Sequence, residues 1–492
     1  MPQVLKNFLN QITMYRLMLY FLLALWVASI ILSLTDTLPY NPLDILSSGI
    51  FLSVVCNLAN YLLAKIFRAR TNLESASITA LILTLIVGPL SPIENLLILT
   101  FIGVVAMASK YVLALNKKHI FNPAAFAVFL AAIVLHNGAS WWMGSMYTLP
   151  LIAVGGLLIL IKIKRFELVA SFLAVYFLTP VLFGKGFTIN SFVVPSIWFF
   201  VFVMLIEPLT SPSTKNKQVI FGGFVALVYF LLPKIIPGYA YGLETALLIG
   251  NLLNLFLSPS FNLVMVFRKK EKVTENTWSF HFEPMSKFRF IPGQYLEWTL
   301  PHKNPDSRGT RRFFTISSAP SEGSVALTMR VAKKGSSFKS TLMNFREEQE
   351  IVASSPQGEF ILPQDKALPL VFIAGGIGVT PFRSMIKSML LNNEKRDIVL
   401  LYSNRQEADI AFKKILDGAK GVGVRTVYVN TEKDGYIDEE MIKKKVPDYQ
   451  NRIFYVSGPE PMVEAIKKLL SQMKIKMIKT DFFPGYTETH QG

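Results

Sequence analysis

A single cysteine, Cys56, stands in 492 residues, and it lies inside an apolar run. One thiol cannot build a disulfide framework, a Cys-ligated iron–sulfur cluster or a Cys-rich zinc site, and in that setting it reads as a buried, inert side chain. Histidine is nearly as scarce, with His119, His136, His281, His302 and His490 the full set. No metal site is expected. Acids are also short, 33 Asp and Glu against 50 Lys and Arg, which leaves a net charge of +17 and a pI near 9.6. Such a balance invites a nucleic-acid reading, but no nucleic-acid motif accompanies it, and no nucleic-acid partner is expected.

What is abundant is hydrophobic sequence, 51% of residues, and it is unevenly spread. Residues 14 to about 258 hold nearly all the long apolar runs, whereas 265–492 have the composition of a soluble α/β chain. A bilayer core needs about 20 apolar residues per helix. Ten candidate spans follow: 14–34, 45–66, 74–90, 94–112, 122–136, 147–163, 167–184, 190–207, 218–236 and 241–258. The third carries Glu74, Ser75 and Ser77 at its start and can be re-entrant. The first is longer than the apolar core of a cleaved signal. Cations gather in alternate loops, at Lys6 and Arg16, Lys65 to Arg70, Lys110 to Lys118, Lys162 to Arg165, Lys215 and Lys217, and Arg268 to Lys272, while the opposite loops carry only Lys185 and Lys234. By the positive-inside rule this predicts a multi-pass protein of the cell (inner) membrane with both termini and the soluble half cytoplasmic. Ten spans divide as five plus five, which permits an inverted repeat as in many transporters.

Several stretches of the membrane half are more than hydrophobic. Asn122 and Pro123 suit an N-cap and first helical turn. Glu207-Pro208-Leu209-Thr210-Ser211-Pro212 is a hydroxyl-rich loop, and Gly222-Gly223 permits close helix approach. "FNPAA", "EPLTSP", "IFGG" and "YGLETALLIGNLLN" resemble the D subunit of the Rnf electron-transport complex and the related B subunit of the sodium-translocating NADH:quinone reductase, over roughly 40–260. The resemblance implies ten spans and a flavin, usually FMN on a Thr of a Ser-Gly-Ala-Thr motif. That tetrapeptide is absent, and its nearest counterpart is Asn137-Gly138-Ala139-Ser140, where Ser140 is either an attachment point or part of a turn ahead of Trp141 and Trp142. A second flavin or a quinone in this half stays open. Asn57, Asn60, Glu244, Asn251 and Asn254 are polar residues within apolar spans, where function or interhelical hydrogen bonding retains them.

In the soluble half, Arg311-Arg312-Phe313-Phe314-Thr315-Ile316-Ser317-Ser318 reads as a strand built to cradle a flavin. Arg312 can fork onto a phosphate. Phe314, with Phe313 beside it, offers a flat face for the ring, and Thr315 a short hydroxyl for a ring nitrogen. The pattern Arg-x-aromatic-Thr-x-x-Ser, ending at Ser318, resembles the FAD fingerprint of the ferredoxin–NADP reductase superfamily, as does Pro292-Gly293-Gln294-Tyr295. Gly335-Ser336-Ser337 then opens a short helix whose amides can face an anion. The resemblance implies that this stretch meets the FAD pyrophosphate.

Leu370 to Ala374 is a strand buried on both faces, followed by Gly375-Gly376-Ile377-Gly378-Val379-Thr380-Pro381 and a helix. Glycines between a strand and a helix let amides approach a pyrophosphate, with Thr380 as N-cap and Pro381 at the first helical position. Strands and helices alternate from there on, which predicts a doubly wound parallel sheet. Ser457-Gly458-Pro459-Glu460-Pro461-Met462 resembles the superfamily's Cys-Gly-Pro-x-x-Met loop with Ser457 in place of the frequent Cys, a position that the resemblance turns toward the nicotinamide. Phe483 would place an aromatic near the flavin. Ser403 and Arg405 end the second strand, where a ribose or its 2′-phosphate is read, and Arg405 leans toward NADPH.

The expected architecture is therefore multidomain: a membrane helical bundle of about ten spans (1–262), an antiparallel β-barrel that binds FAD (263–364) and a doubly wound α/β domain that binds NAD(P) (365–492). The residues expected to touch the reacting rings are Thr315, Ser457 and Phe483. The expected activity is electron transfer from NAD(P)H through FAD to an acceptor in or across the membrane: a quinone, a second flavin or another redox carrier. A redox-coupled sodium or proton transporter is the alternative. A haem-type ferric reductase or NAD(P)H oxidase ranks lower, because two b haems need more paired histidines than His119 and His136 supply.

Overall fold

The computed structural model describes the chain apart from residues 1–4, 6–7, 10–11, 68–72, 116–117, 184–193, 237, 239–241, 258–261, 307, 332–335 and 482–492. Gly335 and Phe483 lie outside the described residues, as do Lys6, Arg68, Arg70, Lys117, Lys185 and Tyr241. The chain divides into two compact units, Met1–Phe261 and Asn262–Gly492.

The first unit contains helices α1 (Met14–Leu34), α2 (Pro42–Ile66), α3 (Leu73–Ile86) and α4 (Leu96–Val112), a two-residue hairpin β1 (Ala114–Leu115) and β2 (Lys118–His119), then α5 (Pro123–Val134), α6 (Leu149–Ile163), α7 (Phe166–Leu182), α8 (Pro195–Leu205), α9 (Lys215–Ile235) and α10 (Gly242–Leu257). Local chemistry sets the starts. Asn41 and Asn122 cap α2 and α5 with their side chains, each followed by a proline. Every expected apolar segment contains a helix, but among the described residues only α1, α2 and α9 are long and apolar enough to cross a membrane. At 1.5 Å per residue the 14 residues of α3 reach about 21 Å, short of a hydrocarbon core of about 30 Å. Helix α8 departs from the α pattern: Phe200–Leu205 is a π-helix, buried throughout, and it leads directly to Glu207. The small residues act as expected, since a Cβ on Gly222 of α9 would overlap the Leu168 carbonyl and the Ser171 hydroxyl of α7.

The second unit opens with β3 (Leu263–Thr274), β4 (Thr277–Pro284), β5 (Tyr295–Thr299), β6 (Arg311–Thr315), β7 (Val325–Arg330), helix α11 (Ser337–Met343) and β8 (Glu350–Ala353). These strands form an antiparallel sheet in the order β6-β5-β8-β3-β4-β7. Its edges meet at the single bridge Ile316↔Leu327. The expected barrel is thus a six-stranded sheet whose rims touch at one point, where no full ladder closes it.

The remainder alternates: β9 (Leu370–Gly375), α12 (Thr380–Leu391), β10 (Ile398–Asn404), α13 (Lys413–Asp417), β11 (Val424–Asn430), α14 (Glu439–Lys445), β12 (Ile453–Ser457), α15 (Glu460–Gln472) and β13 (Ile478–Asp481). All five strands are parallel, in the order β11-β10-β9-β12-β13. Leu370, Phe372 and Ala374 belong to one apolar cluster and Val371 and Ile373 to another, so the sheet is covered on both faces and doubly wound. Phe360, just past the antiparallel sheet, packs against Phe382 and Tyr455 of this layer and joins the two lobes into one unit.

The helix contact at Gly222 gives a stability prediction. Gly222→Leu should cost about 1–3 kcal/mol by overpacking and lower the melting temperature of the detergent-solubilised protein. Gly223→Leu should cost less, because its Cβ would meet Val175 at an ordinary 3.4 Å. Equal melting temperatures for the two variants would contradict the close α7–α9 approach.

Candidate active site

Strand β6 and the loop before it build an anion pocket around Arg312. The guanidinium is mostly buried, with 12% of the side chain exposed. Its Nη1 donates to the carbonyls of Arg308 (2.8 Å), Gly309 (2.9 Å) and Arg311 (2.7 Å), and Nη2 donates to Asp306 Oδ1 (2.7 Å) and Ser336 Oγ (3.2 Å). Nε is buried with no hydrogen-bond partner among the described residues. Nε is therefore the free donor for a phosphate, and Nη2 joins it in a fork only where Asp306 or Ser336 gives way, since Nη1 is held by carbonyls. Burial opposes ionisation of Asp306, but the Arg312 guanidinium and the Arg308 amide outweigh it and hold this carboxyl at about 2.

Asp306 also accepts from the Ser337 amide (3.1 Å), while Ser337 Oγ bonds His302 Nε2 (2.8 Å) and accepts from the Asp306 amide (2.9 Å). The start of α11, where the sequence places an anion, is thus stitched to the 302–308 loop by a carboxylate of the chain itself.

The aromatic assignment needs correcting. Phe314 is 7% exposed and packs on Phe338, so its face belongs to the core. Phe313 is 45% exposed, edge-on to Tyr295 at 5.7 Å, and is the ring with an open face. Covering the sheet with α11 decides which side of the pleat is buried, and Phe314 points that way. Thr315 is buried at the end of β6. Ser318, expected at the cofactor, is buried with its hydroxyl accepting from the Ala326 amide (2.9 Å).

The glycine loop after β9 is a 3-10 turn, Gly376–Val379, that runs straight into α12. Thr380 is consequently the first helical residue and not the N-cap; its hydroxyl donates to the Ile377 carbonyl at 3.2 Å, with Pro381 following. A Cβ on Gly378 would lie 2.5 Å from Gly458 Cα and from the Ser457 carbonyl, and one on Gly375 would overlap Met462 Sδ. Gly376 adopts φ +50° facing open space. The loop and the Ser457-Gly458-Pro459 turn therefore press backbone against backbone, the close approach that a pyrophosphate-binding loop requires. Ser457 is buried at the end of β12, beside this contact. Ser403 is buried at the end of β10, and Arg405 just beyond donates from Nε to Glu432 Oε1 at 2.8 Å.

The two lobes are joined by residues that the sequence reading missed. Arg383, in the first turn of α12, donates to the Ser317 carbonyl (2.9 Å) and pairs through both nitrogens with the Glu322 carboxylate. Glu322 also accepts from the Ala319 amide (2.6 Å), and Ser384 Oγ donates to the Ser318 carbonyl (2.6 Å). A signal was present: a cation in a first helical turn opposes the helix dipole and needs a partner.

In the first unit, about 680 Å³ of space, including its mouth, lies among α1, α3, α5, α6 and α8. Its walls are Met14, Met18, Ile78, Ile159 and Val203, and one end is polar, with Ser75, Thr79, Asn122 and Glu207. Glu207 accepts from Asn122 Nδ2 (2.9 Å) and Thr210 Oγ1 (3.0 Å) and bonds His119 Nε2 (3.2 Å); the Asn122 amide donates to Asn251 of α10 (2.9 Å). Ser140 lies in an irregular segment after α5, and its hydroxyl donates to the Ile86 carbonyl (3.3 Å).

Residues 264–361 match the FAD-binding domain of oxidoreductases and residues 372–468 the NAD-binding domain of oxidoreductases. The flavohemoprotein of Bacillus thuringiensis subsp. konkukian is 25% identical over 246 residues, 45% of this chain and 60% of that protein. The glycine betaine monooxygenase reductase subunit of Pseudomonas aeruginosa is 29% identical over 219 residues, 40% of this chain and 58% of that protein. The chain thus spans about 60% of the length of these curated relatives. Among solved structures, the Amycolatopsis cytochrome P450 reductase GcoB aligns with a TM-score of 0.41 at 22% identity, covering 46% of this chain and 70% of that one. Flavohemoglobin from Malassezia yamatoensis aligns with a TM-score of 0.43 at 19% identity, covering 69% of this chain and 99% of that one.

The pocket and the lobe contact give three predictions. Arg312→Ala should weaken FAD retention by about 10- to 100-fold, the loss of a forked charge-assisted contact, read by flavin fluorescence on dilution. Because the folded-state value of Asp306 lies below its ordinary 3.8, its contribution is present above that value and vanishes as pH falls through about 2, so its titration should leave FAD retention level across neutral pH. Arg383→Ala should slow flavin reduction by nicotinamide about tenfold or more by loosening ring alignment, with FAD content unchanged. A stopped-flow rate equal to wild type would contradict a positioning role.

Proposed function

We propose, from the premise that the C-terminal half of this chain is an NAD(P)H-dependent, FAD-containing oxidoreductase of the ferredoxin–NADP reductase superfamily, that it passes electrons to an acceptor held in or at a lipid bilayer by the N-terminal helical unit. The observation that supports the reductase part of this reading is the lobe contact: Arg383 and Ser384, four and five residues past the glycine loop in α12, grip the segment that continues the flavin strand. When bound, FAD would supply the chemistry of accepting one hydride, two electrons, from the reduced nicotinamide and giving the electrons up one at a time.

The residues supply position and charge. Arg312, through Nε and Nη2, and Ser336 and Ser337 hold the flavin pyrophosphate. Phe313 supplies the open aromatic face and Thr315 a hydroxyl toward the ring. Gly375, Gly376 and Gly378 admit the nicotinamide pyrophosphate over the start of α12, next to Thr380 and Pro381. Ser457, Gly458, Pro459 and Met462 wall the nicotinamide side.

The membrane reading rests on three spanning-length helices and seven shorter apolar ones. The cavity at Glu207 is the candidate place for the acceptor. Its apolar walls and polar end suit an uncharged quinone better than FMN, whose phosphate would lie beside a carboxylate. Attachment of FMN at Ser140 is disfavoured by its hydrogen bond to Ile86. Redox-driven ion transport is the second reading, and buried Glu244 in α10, 1% exposed, favours it. A haem reading gains nothing, because His119 Nε2 is engaged with Glu207.

The purified protein in lipid nanodiscs should show a flavin spectrum without haem bands and oxidise NAD(P)H with ferricyanide. NAD(P)H should then reduce a lipid-soluble quinone at a comparable rate. Ferricyanide turnover without quinone turnover, and a single released flavin per chain, would leave the membrane half as an anchor and overturn the acceptor assignment. Turnover that rises with sodium in sealed vesicles would favour transport.

A further inference from the structure

Side chains at the far edge of the parallel sheet decide a matter that the reductase chemistry leaves open, namely which nicotinamide dinucleotide enters. Strand order reverses between β9 and β12, and the glycine loop fixes the pyrophosphate at the start of α12. Ser457 lies on the β12 side of that point. The adenosine half of a dinucleotide must then extend the other way, over the C-terminal ends of β10 and β11.

Those ends carry a fixed acid. After β11 the chain turns at Asn430–Asp434. The Asn430 amide donates to Asp434 Oδ2 (2.8 Å), the Glu432 amide to Asn430 Oδ1 (3.0 Å) and the Asp434 amide to the Asn430 carbonyl (2.7 Å). The Thr431 amide donates to the Asn404 carbonyl (2.9 Å), which ties the turn to the end of β10. Glu432 is thereby held on a rigid turn beside the strand end that reads the ribose. Its carboxylate accepts from Arg405 Nε (2.8 Å) and Gln406 Nε2 (3.2 Å). The cation that favours NADPH in the sequence is thus already paired. Glu407 and Asp409 follow Gln406 in the chain after β10, and Asp434 and Lys433 share the turn with Glu432.

We propose that Glu432 makes this reductase select NADH over NADPH. The inference rests on the nicotinamide-dependent reading above and adds a residue that determines specificity. A ribose 2′-hydroxyl can donate to the Glu432 carboxylate. A 2′-phosphate brings a charge of about −1.5 to −2 against that carboxylate and its acidic neighbours, and Arg405, paired through Nε with Glu432, offsets less of that charge than an unpaired cation would.

The test uses the full-length protein in detergent. The kcat/KM for NADH and for NADPH is measured with ferricyanide in wild type, Glu432→Gln and Arg405→Ala. Wild type should favour NADH by about tenfold or more, and Glu432→Gln should shrink that ratio by about five- to tenfold through the KM for NADPH, less so as salt rises. Arg405→Ala should not reduce the preference for NADH. In a separate titration, adenosine 2′,5′-bisphosphate should bind Glu432→Gln more tightly than wild type, while 5′-AMP gains nothing. A wild-type preference for NADPH, or an unchanged ratio and unchanged bisphosphate affinity in Glu432→Gln, would overturn the assignment. If neither dinucleotide reduced the flavin, the reductase reading would fail, and the two adenylate titrations would still decide the role of Glu432.

Discussion

One ion pair across two lobes, Arg383 with Glu322, sets the working geometry of the C-terminal half. Both partners are largely buried, 11% and 20% exposed, so the pair is shielded from the screening that makes surface pairs weak. Arg383 stands where a helix dipole disfavours a cation, and Glu322 answers that cost while also fixing the Ala319 amide. Ser384 adds a second tie to the Ser318 carbonyl. The start of α12 is therefore fixed at once to the glycine loop before it and to the flavin segment. Hydride transfer demands that two rings meet within a fraction of an ångström, and a reductase made of two lobes meets that demand only if the lobes cannot slide.

Within this frame the cations are held in place before any ligand arrives. Arg312 spends three hydrogen bonds on carbonyls and two on Asp306 and Ser336, which orients the plane of the guanidinium. A free, rotating arginine would lose side-chain entropy on meeting a phosphate; one already locked loses little. Asp306 does a second service by satisfying the Ser337 amide, so the short helix α11 begins with its donors partnered. The carboxylate stays ionised at neutral pH because Arg312 stabilises it, and the buried guanidinium is stabilised in return.

Much of this was legible in the sequence, and the exceptions have a common cause. Features fixed by local chain chemistry were readable: the continuous apolar strand β9, the glycine turn into α12, the β6 strand with its arginine, and the Asn-Pro helix starts. Features fixed by which surface covers a residue were not. Phe313 and Phe314 alternate on one strand, and only the packing of Phe338 determines that the second is core. Thr380 has the side chain of an N-cap, but the 3-10 turn ahead of it begins the helix early. Asp306 sits in a polar loop with no pattern of its own, and its role exists only through contact with Arg312. Arg405 read as a phosphate ligand because its partner, Glu432, is 27 residues away in sequence.

The N-terminal unit raises a different question, since an anchor needs nothing but apolar helices. This one buries a network instead. Glu207 gathers His119, Asn122 and Thr210, Asn122 reaches Asn251, and Asn251 returns to the Thr210 carbonyl. The members come from the hairpin, from α5, from the segment after α8 and from α10, so no single helix needs them for its own stability. Buried polar groups cost free energy unless every one is partnered, and removing any member would leave the others exposed to that cost. A sequence under selection for anchoring alone would fill these positions with leucine and alanine. Keeping a carboxylate, an imidazole and two amides together, next to a cavity and just past a π-helix, is costly as structure, and it supports the acceptor site proposed above. The same physics that makes the network expensive as structure makes it informative about function.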